Sequence, residues 1–78
     1  MTAKELEEAM QALLNEALAV ALGEIEEDGM TMPTELEHLI RVATFEEEGV
    51  LSSNPGLVLR FNRDGEVREF QIGIVRSR

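Results

Sequence analysis

Cysteine, tryptophan and tyrosine are absent from this sequence, which has three phenylalanines and a single lysine. Without cysteine there is no disulfide framework, no thiolate metal site and no thiol nucleophile. Without Trp or Tyr it lacks the usual platforms on which single-stranded bases stack. No apolar run approaches the roughly 20 residues that cross a bilayer, and no basic stretch leads into a hydrophobic one, so the expected compartment is the cytoplasm. Positive charge is scarce as well. Seven Lys+Arg face 16 Asp+Glu, a formal net charge of −9. That balance repels phosphate backbones and argues against direct nucleic-acid binding. A membrane-surface helix would have to be basic, and the N-terminal region is acidic.

What is present fits one small domain over residues 1–78, with 44% hydrophobic residues. A single core is marginal at this size. The charge is unevenly divided. Residues 1–48 hold thirteen acids and two bases, and residues 49–78 hold three acids and five arginines. An acidic N-terminal part is thus joined to a mildly basic C-terminal part, which bears on partners rather than on fold.

Thr2-Ala3-Lys4-Glu5 reads as a capping box. Apolar residues then recur at Leu6, Met10, Leu13, Leu14, Ala17, Leu18, Ala21, Leu22 and Ile25, the spacing of an amphipathic helix. The helix is expected from Ala3 to Leu22 or on to Glu27, with Gly23 and Gly29 as alternative stops. Ala17–Gly23 has no polar side chain on any face. It reads either as a small-residue seam under a sheet or as a homodimer contact through Ala17, Val20 and Ala21. Thr34-Glu35-Leu36-Glu37 repeats the capping pattern, and Leu36, Leu39, Ile40 and Ala43 form one stripe, so a second helix is expected from Glu35 to Glu47. Residues 40–45 also alternate, which leaves a strand open for part of that stretch.

Ser53-Asn54-Pro55-Gly56 matches a type II turn. Beyond it, two alternating runs flank Asp64-Gly65, the strongest short-range hairpin signal. With those two residues as the loop, Arg63 faces Glu66, Phe61 faces Arg68, Leu59 faces Phe70 and Leu57 faces Ile72, while Arg60 lies opposite Glu69 on the other face. A lone hairpin is marginal in water, so it must pack on the helices or gain strands. The expected fold is α+β, two N-terminal helices packed on a C-terminal antiparallel β-hairpin or small sheet.

Candidates for chemistry are few. Glu35 and His38 lie three apart, half of a di-iron motif, but His38 is the sole histidine and no second half exists. The glycines are scattered, with no phosphate-binding loop. Neither catalytic residues, a metal site nor a cofactor are expected. The acids, by contrast, cluster at Glu24, Glu26, Glu27 and Asp28, at Glu35 and Glu37, and at Glu46, Glu47 and Glu48. If these end helices, each opposes the helix dipole, at a cost of about 0.3–1 kcal/mol. Stability alone would not place them there.

In size, and in the acid clusters of residues 5–48, the chain resembles as a class the small acidic inhibitors that phages make, anti-CRISPR proteins and DNA mimics among them. That resemblance implies a non-catalytic interaction protein whose carboxylates meet a basic surface on a nucleic-acid-binding protein. The alternative expectation is a homo-oligomeric structural or regulatory subunit.

Overall fold

The N-terminal helix begins at its capping box. In the structure, a computed structural model that describes residues 1–23 and 33–77, the Thr2 hydroxyl accepts from the Glu5 amide at 3.1 Å, and the Glu5 carboxylate accepts from the Thr2 amide at 3.2 Å. This satisfies two of the free amide groups at the helix start. Helix α1 runs Ala3–Ala21 and closes on Leu22. Gly23 follows with φ +76°, the left-handed conformation in which a glycine ends a helix at no steric cost. Of the two predicted stops, the first operates. Gly29 lies outside the described residues.

The predicted second helix does not form. Its first turn is a short 3-10 turn, Thr34–His38, which starts at Pro33 without a side-chain cap. The chain then extends into strand β1, Leu39–Thr44. Ile40, Val42 and Thr44 are β-branched and fit a pleated surface better than a helix. More decisively, β1 supplies the strand that the hairpin needs. Strands β2, Gly56–Arg63, and β3, Glu66–Gly73, complete a three-stranded antiparallel sheet in the order β1-β2-β3.

The β2–β3 register is the predicted one: Arg63 opposite Glu66, Phe61 opposite Arg68, Arg60 opposite Glu69, Leu59 opposite Phe70 and Leu57 opposite Ile72. Asp64 and Gly65 sit at φ 53° and 81°, the paired positive angles of a two-residue hairpin loop. The expected type II turn, with Pro55 and Gly56 in its two central positions, is not formed. Gly56 is the first residue of β2 and lacks the positive φ such a turn requires. Its glycine serves close approach: a Cβ there would run into the Phe45 ring and the Ile72 carbonyl oxygen.

Leu39, Val42, Leu57 and Leu59 form the buried cluster, with Met10, Leu14, Leu18 and Phe61 packed against it. Helix α1 therefore lies over β1 and the near side of β2. Complete burial of a side chain such as Leu57 is worth about 1.5–3 kcal/mol. One polar group enters this layer. Glu7, 2% exposed, accepts from the Gly56 amide at 2.8 Å and from the Lys4 ammonium at 2.7 Å, tying the helix to the start of β2. No helix among the described residues is long and apolar enough to cross a membrane.

Candidate functional site

Among the described residues, nothing covers strand β3. All eight of its residues are exposed, whereas β2 beside it is buried over its first four. The reason is placement: α1 spans the sheet at β1 and β2, leaving the helix-side residues of β3 beyond its reach. Phe70 and Ile72 are consequently 53% and 38% exposed, and on the other face Val67 is 56% exposed. Just past the strand, Val75 is 69% exposed.

The backbone of β3 is equally open. The Ile74 amide donates to the Pro55 carbonyl at 2.9 Å, which fixes the phase of the ladder. Even-numbered residues from Glu66 to Ile74 direct their backbone groups at β2, and Val67, Glu69, Gln71 and Gly73 direct theirs outward. The opposite edge of the sheet is different. Strand β1 is shorter and carries an irregularity between Leu39 and Arg41, a feature that discourages further pairing. No such irregularity interrupts β3.

At the hairpin end a groove of about 620 Å³ opens between the 3-10 turn and β3, lined by Glu35, His38, Phe61, Arg63, Asp64, Glu66, Arg68 and Phe70. The Phe61 and Phe70 rings meet edge to face, with centroids 5.7 Å apart. Arg68 pairs with Glu66 at 2.6 Å on its rim. Glu35 and His38 do line one site, as their spacing suggested, but no group of His, Asp and Glu able to hold a metal occurs among the described residues.

The candidate acids are placed as follows. Glu24, Glu26, Glu27 and Asp28 lie outside the described residues. Glu35 and Glu37 are exposed on the 3-10 turn. Glu46, Glu47 and Glu48 follow a strand, not a helix, so no helix dipole opposes them. All three have partners within the chain, Glu46 the weakest of them. Glu47 accepts from the Thr44 amide at 2.9 Å and from the Gln11 side chain at 2.7 Å, and its own amide donates to the Thr44 hydroxyl. The Thr44 amide chiefly, then the Gln11 side chain and the Thr44 hydroxyl, hold its carboxyl below the usual carboxylate range. Glu48 bridges Arg41 at 2.6 Å and Arg60 at 3.5 Å, and Arg60 continues to Glu69 at 3.0 Å. Glu46 stands in solvent with Lys4 at 3.7 Å.

Of the expected oligomer seam, Ala17 is 5% exposed, buried within the chain itself, while Val20 and Ala21 are half-buried. The apolar surface left open instead is on β3. Its signal was present in the sequence: a hairpin with Phe70 and Ile72 on the inner face needs as much cover on its outer strand as on its inner one, and one helix cannot supply both. Comparison with family models, with curated proteins and with solved structures finds no match.

Proposed function

We propose that this chain is a non-catalytic interaction protein that docks an extended segment by strand addition along β3. One observation carries the reading: β3 joins an open hydrogen-bonding edge to exposed apolar side chains on both faces. Main-chain bonds along such an edge supply affinity, and the alternating side chains supply selectivity. An unprotected edge of this kind is otherwise an aggregation hazard.

The test is a random-peptide display selection on the immobilised protein. Enriched peptides should be β-prone, should slow amide exchange at Val67, Glu69, Gln71 and Gly73, and should fail to bind Phe70→Lys. Leu13→Lys, which charges an exposed apolar position on α1, should leave them bound. Peptides that bind both variants equally would sink the proposal.

A second reading, the acidic inhibitor, is favoured by the exposure of Glu8, Glu16, Glu35, Glu37 and Glu46. It expects salt-sensitive capture of a basic, nucleic-acid-handling protein. Lysine at Glu35 and Glu37 should abolish that capture, and unchanged capture would remove this reading.

A further inference from the structure

We infer that the segment received by β3 is β3 of a second copy of this chain, paired about a two-fold axis at Gln71 to give a continuous six-stranded sheet. This rests on the strand-addition reading and adds to it the occupant and the register. A two-fold axis perpendicular to the sheet pairs β3 antiparallel with itself, so the residue at the axis meets its own copy. Only a few axis positions are available, and the side chains discriminate among them. At Arg68 or Glu69 the axis sets like charges directly opposite each other. An axis at Phe70 sets two charges against apolar residues, Arg68 against Ile72 and Glu66 against Ile74, and leaves Val67 opposite Gly73. At Ile72 it opposes Arg68 and Arg76, again like charges.

The Gln71 axis behaves differently. It places Phe70 against Ile72 of the second copy, and the reverse, on the α1 side. On the other side Val67 meets Val75. These four are the large apolar residues that the fold leaves exposed along β3 and its continuation. Glu66 meets Arg76 of the second copy, an opposite-charge pair, and Gln71 meets its own copy, where two amides can bond; Arg68 opposite Ile74 is the one charge set against a large apolar residue. The backbone agrees. Gln71 lies in the outward-directed phase set by the Ile74–Pro55 bond, so Gln71 with its copy, and Glu69 with Gly73, become the hydrogen-bonded pairs. Phe70 with Ile72 becomes the non-bonded pair, in which side chains come closest. The backbone phase admits this axis, and the side chains select it.

Because the chain has no cysteine, a single introduced thiol reports the register. Gln71→Cys, at an exposed polar position, should oxidise to a covalent dimer, since its Cα would lie about 5.5 Å from its copy. Two Glu69→Cys sulfurs would belong to residues four positions apart along the ladder. That is about 13 Å at the usual strand rise, beyond the roughly 7 Å that a disulfide spans, so this variant should stay monomeric on oxidation. Light scattering should give a dimer mass for the unmodified chain and a monomer mass for Phe70→Lys. Cross-linking of Glu69→Cys in preference to Gln71→Cys would overturn the register. A monomer mass at the highest concentration reached, with no cross-link at Gln71→Cys, would overturn the inference. Display peptides that still protect the outward amides of β3 in that case would leave the strand-addition reading standing. Failure of both would end the two together.

Discussion

Glu7 makes the sharpest prediction about stability. Its carboxylate is almost wholly buried and accepts the amide of Gly56, itself a buried residue at the first position of β2. Replacing Glu7 with alanine leaves that N–H without a partner, and an unsatisfied buried donor costs about 1–3 kcal/mol. The removed side chain also leaves a gap between helix and sheet that closes only in part. A loss of about 2 kcal/mol is expected, and in a domain of this size each kcal/mol lowers Tm by roughly 4–8 °C. Glu7→Ala should therefore melt about 10 °C or more below the parent. Far-UV circular dichroism is the natural assay, since α1 supplies the signal and there is no Trp or Tyr to follow by fluorescence. Glu7→Gln keeps an acceptor for Gly56 and should fall between the two. Glu8→Ala removes an exposed carboxylate from the same turn and sets the baseline. If Glu7→Ala melts no lower than Glu8→Ala, the tie between α1 and β2 is not structural and the argument fails.

Two further outcomes test the packing and the turn after β1. Gly56 and Gly73 face each other across β2 and β3, yet a Cβ at Gly56 collides with Phe45 and the Ile72 carbonyl, while one at Gly73 meets nothing within 4 Å. Gly56→Ala should lose about 1–3 kcal/mol or more by urea denaturation, and Gly73→Ala should be neutral or slightly stabilising. Equal effects would mean that Gly56 is not there for close approach. Glu47 is held below the ordinary glutamate value of 4.5, first by the Thr44 amide. A depressed folded pKa contributes stability that is present above the unfolded value and lost as pH falls through the folded one. Glu47→Gln should thus be less stable than the parent at pH 7, with the gap closing as pH falls below the ordinary value of 4.5; a gap independent of pH would refute that account.

The hairpin was legible to the residue because two local signals agree: Asp64-Gly65 admits one loop, and alternation on both sides admits one register for that loop. The helix start was legible for the same reason, as Thr2 and Glu5 act through their own backbone neighbours, whereas the stop stayed open between Gly23 and Gly29 because either glycine can end a helix. Residues 35–47 were not, because Leu36, Leu39, Ile40 and Ala43 satisfy helical spacing as well as Ile40, Val42 and Thr44 satisfy a strand. What decides between them is remote: the backbone groups of β2 at Gly56, Val58 and Arg60 need partners, and Phe45, Ala43 and Arg41 provide them. The acid triplet was misplaced in consequence. Thr44-Phe45-Glu46-Glu47 is itself a capping-box spelling, and its reciprocal Thr44–Glu47 bonds are formed. Glu7 offered a readable anomaly, a carboxylate on the stripe of Met10, Leu14 and Ala17 that faces the sheet. Leu13, counted on that stripe from spacing alone, is exposed instead.

The uneven charge noted at the outset gives the two functional readings opposite responses to salt. Two copies that each carry −9 repel at long range, since most of that charge lies on residues 1–48. Around β3 the signs nearly balance, with Glu66 and Glu69 set among Arg60, Arg63 and Arg68. Raising salt from about 0.1 M to about 1 M shortens the screening length from about 10 Å to about 3 Å. That removes the repulsion between the two bodies and leaves the apolar pairs and the strand ladder in place. The self-paired dimer should therefore tighten as salt rises. A basic partner held by carboxylates should do the reverse, because its attraction is what the salt screens. Sedimentation of the unmodified chain across this range measures the sign directly. A dimer that dissociates with added salt would locate its attraction in charge, and the ladder centred on Gln71 could not be its cause.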